Sequence, residues 1–541
     1  MNEINRSQKI YILPAIFFGM LALGLLIYFT RYGAGVGDDS VRYVMGARNL
    51  IAGLGYSRIS GGGEIYPETG FAPLLSFMLA GVGLLQFDMY LAGRILNTIF
   101  YGANLSLLAL LIFKHTRSGL ALLVGSLLFI SSKVIFEWHA WLMSEPLFIF
   151  LTLLSLYSLA EYIYSNSKRY LLIAALTAGA ASITRYIGVS LIASNGLLIL
   201  FFGKQGLRKR IEHAVLFGAL SAAPFLLWML RNQSLDAGGL ANREIIFHPI
   251  RPEILRIYLF ELTSWFIPER FVFPRIVRAS IATVIAGLGP GIFLFQQLRH
   301  GHLRQRVKER PFASVPWLMI FYILFYVGVL AANSFLLDAG TTYDGAIRYL
   351  MPLLVMAIIL EVTTYYSTLV QIGFSDWPGR LAVLYVGLVI LFSAVQMFSF
   401  TSQSSLVLGF TGIRSRWSDV IDIIKAQEAD DPIISNNPEM VYYLADRPAY
   451  MKPIKFDVYQ RQEREDFPEQ IELATERLRN GSIFVFFDEP SPEEEEILGI
   501  LPVKPIYQTP RVTIYAYDHH SGSLRDTLRQ MNSRNPDKRL T

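Results

Sequence analysis

Long apolar blocks recur along the first 400 positions, and charged residues gather in the gaps between them. The blocks fall near residues 11–29, 90–113, 119–136, 146–163, 170–184, 187–202, 213–230, 279–297, 315–335, 350–368 and 381–402. A helix needs about 20 apolar residues to cross a ~30 Å hydrocarbon core. The pattern therefore predicts a polytopic α-helical membrane protein with about eleven transmembrane helices. The first block follows a short basic N-terminus and lacks a small-residue cleavage site, so it reads as a retained span rather than a signal peptide.

Basic residues mark alternate connections: Arg6/Lys9, Lys114/Arg117, Lys168/Arg169, Lys204 to Arg210, and Arg299 to Arg310. The positive-inside rule places these in the cytoplasm. The loop after the first span is then outside, and so is everything after residue 403. Arg169 and Lys204 sit on the same side by this rule, although the intervening chain is too short for two full spans. Two short helices meeting at Arg185 satisfy both constraints. An Arg at such a turn is costly in lipid and is expected where it faces a polar cavity. The ordinary alternative is an Arg that snorkels to the outer headgroups.

Three outer segments are long. Residues 30–89 hold Asp38-Asp39, a helix-like stretch from Val41 to Ala52, the run Gly61-Gly62-Gly63, and an apolar stretch from Phe71 to Leu85 suited to lying along the interface. Residues 231–278 and 336–349 are the others. Beyond 403 the apolar runs shorten to strand length, at Pro432–Ser435, Ile483–Phe487 and Val512–Tyr517, with helical stretches between them. Strands alternating with helices predict a small extracytoplasmic α/β domain over 403–520, followed by a polar tail, 521–541. The membrane domain is 1–402, with 30–89 as its first extracytoplasmic loop.

Composition narrows the chemistry. The chain of 541 residues is 53% hydrophobic and 17% charged, below the roughly 25% of an average soluble protein. The formal charge of +5 sits mainly in short loops, so it speaks of topology and not of nucleic acid. There is no cysteine, which excludes disulfides, thiolate catalysis and Cys-ligated metals.

On the outer face acids and arginines collect. The first loop supplies Asp38, Asp39, Arg42, Tyr43, Glu64 and Glu68. The loop before the fourth span supplies Glu137, His139 and Glu145, and Arg185-Tyr186 lies between the short helices. Asp344, Arg348 and Tyr349 precede the tenth span. Adjacent carboxylates separate their pKa values, and the Arg fork suits phosphate because it donates two parallel hydrogen bonds. Each has a plainer reading: Asp38-Asp39 as a solvated loop or helix cap, and Glu145-Pro146 as the acidic first turn of a helix. Bases and phosphate clamps beneath an amphipathic cap suggest transfer from a lipid-linked phosphate donor.

The membrane region resembles the integral-membrane glycosyltransferases of the GT-C superfamily, in the bacterial branch similar to protein O-mannosyltransferases and the lipid A aminoarabinose transferase. The resemblance rests on the acid pair followed by Tyr43 and Ala47-Arg48-Asn49-Leu50, on Pro67 to Leu74, on Glu145-Pro146, on Thr184 to Gly188, and on Arg348 to Pro352. In such enzymes the catalytic acid stands eight residues before the Ala-Arg pair, which here is Asp39. The family often has Glu next, where this chain has Ser40.

The resemblance implies an inverting single displacement from a polyprenyl-phosphate sugar to a protein, lipid or glycan acceptor. It assigns Asp39 as general base, with Asp38 as electrostatic partner and Glu145 orienting the acceptor or the pair. Arg185, Arg348 and Tyr349 would bind the donor phosphate, and Arg42, Tyr43, Glu68 and His139 would contact substrate. No metal is expected to be obligatory. A divalent ion is an option in relatives through an Asp-x-Asp pattern that this chain lacks, and Glu64 with His139 or His248 has no spacing that demands zinc. The expected place is a bacterial inner membrane, with the active site and C-terminal domain outside. The non-enzyme alternative is a transporter or flippase for a lipid-linked phosphate.

Overall fold

A computed structural model describes residues 2–235, 252–265, 274–299, 312–336, 343–372, 377–403, 408–414, 418–426, 432–457 and 462–518, with single positions between them. In chain order the first helices are α1 (Asn2–Phe29), α2 (Asp38–Ile51), α3 (Leu74–Gly83), α4 (Met89–Thr116), α5 (Gly119–Ser131) and α6 (Lys133–Ala140). Next come α7 (Glu145–Ser165), α8 (Lys168–Ser182), α9 (Val189–Phe202), α10 (Leu207–Ser234), α11 (Pro252–Ser264) and α12 (Arg275–Arg299). The last long helices are α13 (Val315–Leu336), α14 (Tyr343–Ile372) and α15 (Trp377–Gln403). A hairpin, β1 (Ser57–Ile59) with β2 (Ile65–Pro67), follows α2.

Each of the eleven apolar blocks folds as helix. Seven helices among the described residues are long and apolar enough to cross a membrane, or nine if each of two bent pairs is one span. The other two blocks are α8 and α9, too short to cross alone. The chain is a multi-pass membrane protein. The block 119–136 is not one straight span, because α5 and α6 meet at a 59° bend. Ser132 makes the break. Its backbone is extended, and its hydroxyl caps α6 by accepting from the Ile135 N–H at 3.3 Å.

The chain divides into two compact units. The first comprises Met1–Ala34, Thr69–Met78 and Tyr90–Leu406. There α7 packs along α8, α8 and α9 pack on α10, and α14 packs on α12 and α13. Between α8 and α9 the chain turns through Ile183–Arg185 and a 3-10 turn, Tyr186–Gly188. A Cβ at Gly188 would stand 2.7 Å from the Ala181 backbone, so only glycine lets the chain fold back this closely. The Leu74 N–H donates to the Ile183 carbonyl at 3.0 Å, and the Tyr186 hydroxyl donates to the Thr69 carbonyl at 3.1 Å.

The second unit comprises Gly35–Glu68, Leu79–Met89 and Val407–Thr541. The unit boundary near 406 lies close to the expected 402/403 boundary, while most of the first outer loop groups with the C-terminal part. Its helices after 407 are α16 (Phe410–Arg414), α17 (Ser418–Ala426), α18 (Pro438–Ala445), α19 (Phe467–Arg479) and α20 (Pro492–Ile500). Its strands are β3 (Ile433–Ser435), β4 (Ala449–Met451), β5 (Phe456–Asp457), β6 (Gln462–Glu463), β7 (Ile483–Phe487), β8 (Val503–Gln508) and β9 (Val512–Tyr517). The main sheet runs β4-β3-β7-β9-β8, with β3 parallel to β4 and β7, and β9 antiparallel to β7 and β8. Strand β7 is buried at every position, as expected when both faces are covered. Its Phe484 and Phe486 share a core with Ile434, Leu478, Ile497 and Leu501. The acid run Glu493–Glu496 opens α20, where Ser491 and Glu494 form a capping box.

Candidate active site

The membrane unit holds a buried ion cluster. Glu145 is the first residue of α7 and has 0% exposure. Its Oε1 accepts from Arg185 Nη1 at 2.5 Å and from Arg348 Nε at 2.9 Å. Arg185 comes from the turn between α8 and α9, in extended backbone, and also donates to the Ser144 hydroxyl at 3.4 Å. Arg348 comes from the first turns of α14. Aromatic faces hold both guanidiniums. Arg185 lies 5.8 Å from the Tyr349 ring and Arg348 lies 5.3 Å from the Trp138 ring. The Tyr349 carbonyl is fixed in turn by the Tyr326 hydroxyl at 2.7 Å.

Two arginines thus converge on one carboxylate oxygen. The other carboxylate oxygen, Oε2, is buried with no hydrogen-bond partner. Glu145 was expected to orient the acceptor or the acid pair. In the structure it is the buried counter-charge of Arg185 and Arg348.

A mainly apolar cavity of about 1060 Å³, whose lining also includes Lys133, Glu137, Glu261 and Glu361, lies near this cluster. Trp138, which stacks under Arg348, lines it, as does Ile347, the residue before Arg348. Tyr365, Tyr385 and Phe400 form apolar walls.

His139 is a correction. It was expected to touch substrate, but it is 1% exposed and lies 4.9 Å from the Tyr101 ring. Both ring nitrogens are engaged, Nε2 with the Asn104 side chain at 3.0 Å and Nδ1 with the Ile135 carbonyl at 2.6 Å. It is a packed core histidine.

The second unit holds the acid pair. Asp38 and Asp39 open α2, at the positive end of the helix dipole. Gly37 has no side chain to cap with. Ser40, three residues on, is buried and its hydroxyl accepts from the Gly37 N–H at 3.1 Å. That hydroxyl caps the first turn of α2 from its third position. Arg42, one turn along, pairs through Nε with Glu439 Oε1 of α18 at 2.7 Å. Burial works against the Arg42 charge, and Glu439 more than offsets it, so its pKa lies above the ordinary arginine value.

Protein atoms crowd the Asp38 carboxyl although the residue keeps an open side. This desolvation is the largest cause pushing it up, to about 6, and the charges of Glu439 and Asp39 add to it. A hydrogen bond from Asn437 and the charge of Arg42 pull the other way. Tyr43 and Glu68 are buried in the same unit, and the Glu68 charge acts on Arg42. Asn437 caps α18, accepting from the Met440 N–H at 2.8 Å.

The hairpin after α2 docks in the same unit. Glu64 accepts from the Tyr450 hydroxyl at 2.8 Å and from the Ser60 hydroxyl, which together hold its carboxyl down, to about 2. Among the described residues, no group of three or more His, Asp or Glu is placed to hold a metal ion. Glu64 is taken by Ser60 and Tyr450, His139 by its core partners, and His248 lies outside the described residues, as does the Asp344 side chain.

No sequence-family model and no curated protein sequence matches this chain. Solved structures do. ArnT from Cupriavidus metallidurans bound to undecaprenyl phosphate is similar with a TM-score of 0.56, over 93% of this chain and 97% of that one, at 12% identity. The chain has the GT-C fold. ArnT in its apo state matches over the same shares at 14% identity, with a TM-score of 0.50. The mycobacterial arabinofuranosyltransferase AftD matches over 93% of this chain and 41% of its own length, at 12% identity and a TM-score of 0.51. At such identities a GT-C likeness is one of fold. Chemistry must be argued from the residues of this chain.

Proposed function

We propose that this GT-C protein is a glycosyltransferase that moves a sugar from a polyprenyl-phosphate donor to an extracytoplasmic acceptor. One observation carries the reading: two half-buried arginines aimed by one buried carboxylate stand among membrane helices, near a mainly apolar cavity lined by Trp138, the ring against Arg348, and by Ile347. That combination suits an amphipathic ligand with an anionic head and a long hydrocarbon tail. The ArnT structure bound to undecaprenyl phosphate adds support from a protein of the same fold.

In this reading Arg185 and Arg348 bind the donor phosphate, and Tyr349 and Trp138 steady them. Asp39 takes the proton of the acceptor hydroxyl or amine. The acceptor atom bonds to the anomeric carbon as the bond from that carbon to the phosphate oxygen breaks. The electron pair leaves with the polyprenyl phosphate, whose growing charge the two guanidiniums stabilise. Attack opposite the leaving group inverts the anomeric centre. Asp38 is the electrostatic partner of the base, and Arg42, Tyr43 and Glu68 support the acid pair and substrate. In this reading the enzyme works in a bacterial inner membrane with its active site outside.

Purified protein in nanodiscs, given a panel of polyprenyl-monophosphate sugars and membrane extract, tests the reading. Donor is consumed by the wild type and spared by Arg185→Ala. Consumption of none of the donors would count against transfer. Tight binding of a lipid phosphate in that case would favour transport instead.

A further inference from the structure

The cavity near the ion cluster is a groove that runs the length of the helices around it. It lies wholly in the membrane unit, walled by α5, α6, α14 and α15, with Ser264 and Trp265 contributed from the end of α11. Along α14 the lining positions run from Ile347 to Leu369, and along α15 from Leu381 to Phe400. At about 1.5 Å per residue the α14 stretch is ~33 Å long, which matches a hydrocarbon core of ~30 Å. One end carries Trp138 and Phe400. The other carries Leu120, just after the basic connection at Lys114 and Arg117 that the positive-inside rule puts in the cytoplasm. The groove therefore joins the two faces of the membrane.

Polar side chains line it at every depth. Lys133 and Glu137 stand at the Trp138 end, with Nζ and Oε2 3.9 Å apart and Lys133 5.2 Å from the Phe400 ring. Ser399, Gln396 and Ser393 follow along α15 at three-residue steps, so they form a stripe down that helix. Glu361 comes next, on α14 and ~21 Å along the helix from Ile347. It sits inside the span Ile347–Val370, and its Oε2 is buried with no hydrogen-bond partner among the described residues. Tyr365 lies one turn beyond. Its hydroxyl donates to the Ile285 carbonyl at 2.7 Å, and a Cβ at Gly289 would stand 2.8 Å from its ring, so close packing fixes it in the wall.

A groove for a hydrocarbon tail alone gains nothing from this series, because polar and ionisable groups inside a span are costly and mark the paths of polar cargo. One wall is also loosely held. The most apolar window of α15 has no buried residue, and that helix packs on α5 and α6 but only lightly on α14. We propose that the groove carries a zwitterionic phospholipid headgroup between the two leaflets while its acyl chains stay in the bilayer, a lipid-scrambling activity. The headgroup moves from the Lys133–Glu137 pair past Gln396 and Ser393 to Glu361. Three acids, Glu137, Glu261 and Glu361, face one lysine in the lining. A cleft of that sign favours a headgroup ending in an ammonium, such as phosphatidylethanolamine, over the net anionic phosphatidylglycerol. The inference goes beyond the transferase reading, which needs no polar group in the depth of the groove.

The test reconstitutes the full chain in vesicles carrying an acyl-labelled fluorescent phosphatidylethanolamine or phosphatidylglycerol, and adds dithionite from outside. Protein-free vesicles lose only the outer-leaflet signal. Vesicles with the wild type should lose the inner-leaflet signal as well, faster for phosphatidylethanolamine. Glu361→Leu should slow that loss about tenfold, since it removes the deep polar step. Gln396→Leu, on the helix whose apolar window is unburied and so tolerant of leucine, should slow it about threefold and keeps the test decisive if Glu361→Leu does not fold. Inner-leaflet signal that stays protected with the wild type, equal rates for the wild type and a folded variant, or a preference for phosphatidylglycerol would overturn the inference. No sugar donor enters the assay, so its result stands apart from that of donor consumption: scrambling without transfer leaves this inference intact and removes the transferase reading, and transfer without scrambling does the reverse.

Discussion

Glu145 and Arg185 lie 2.5 Å apart, with the carboxylate wholly buried at the start of one helix and the guanidinium at the turn between two half-length helices. The same oxygen holds Arg348, more than 200 residues further along. The ion cluster thus ties α7, the α8–α9 turn and α14 together.

Glu145→Gln should be among the most damaging single substitutions in the membrane unit. It leaves two guanidiniums without the carboxylate that aims them. Removing one partner of a buried pair costs about 3–5 kcal/mol. Thermal unfolding in detergent should show a clear drop in midpoint, and Glu145→Asp should recover part of it.

Arg185→Lys tests geometry separately from charge. A lysine keeps the positive charge and loses the planar fork and the stacking on Tyr349. Binding of a polyprenyl phosphate, measured by tryptophan quenching or calorimetry, should weaken about tenfold, equivalent to ~1.4 kcal/mol. Arg348→Lys should behave alike, with loss of its contact to Trp138.

The Asp38 carboxyl is raised to about 6 in the folded chain, above the ordinary value of 3.8. The folded state then binds the proton more tightly than the unfolded chain. Its contribution to stability is full below about pH 4 and is lost as pH rises through about 6. Asp38→Asn should accordingly raise the unfolding midpoint at pH 7.5 and leave it nearly unchanged at pH 4. A midpoint that falls at pH 7.5 would argue that the ionised carboxylate is stabilised in the fold.

Gly61→Ala should loosen the hairpin from the sheet domain. The added methyl would meet the Tyr450 backbone and ring within 2.4–2.6 Å. Overpacking of this kind costs about 1–3 kcal/mol. Limited proteolysis in the segment 60–64 should speed up, as it should for Tyr450→Phe, which removes the donor to Glu64.

Much of the fold was legible because its periods are long. The apolar blocks became helices, and the two same-side basic clusters around Arg185 required the short α8–α9 pair that is found. Three strands of the C-terminal sheet were read within a residue or two, since β3, β7 and β9 are continuous apolar runs. Strand β8 was missed because it carries Pro505 and a bulge after it, features of an edge strand with weak patterning. The Ser131-Ser132-Lys133 step inside the block 119–136 was read through as one span, and the 59° bend falls there. At the site, the residue types were legible and the partners were not. Nothing local in Glu145-Pro146 says that its counter-ions lie 40 and 203 residues away. His139 near a predicted interface looked accessible, and only packing shows it in a core. Glu439 opens a short helix, and its pairing with Arg42 is a property of the folded chain alone.

The most direct measurement is donor consumption by wild type and Asp39→Asn side by side, over a panel of polyprenyl-monophosphate sugars. The account predicts that the wild type alone releases polyprenyl phosphate, with the anomeric centre of the product inverted. Equal release by both proteins would contradict it by removing Asp39 from the chemistry.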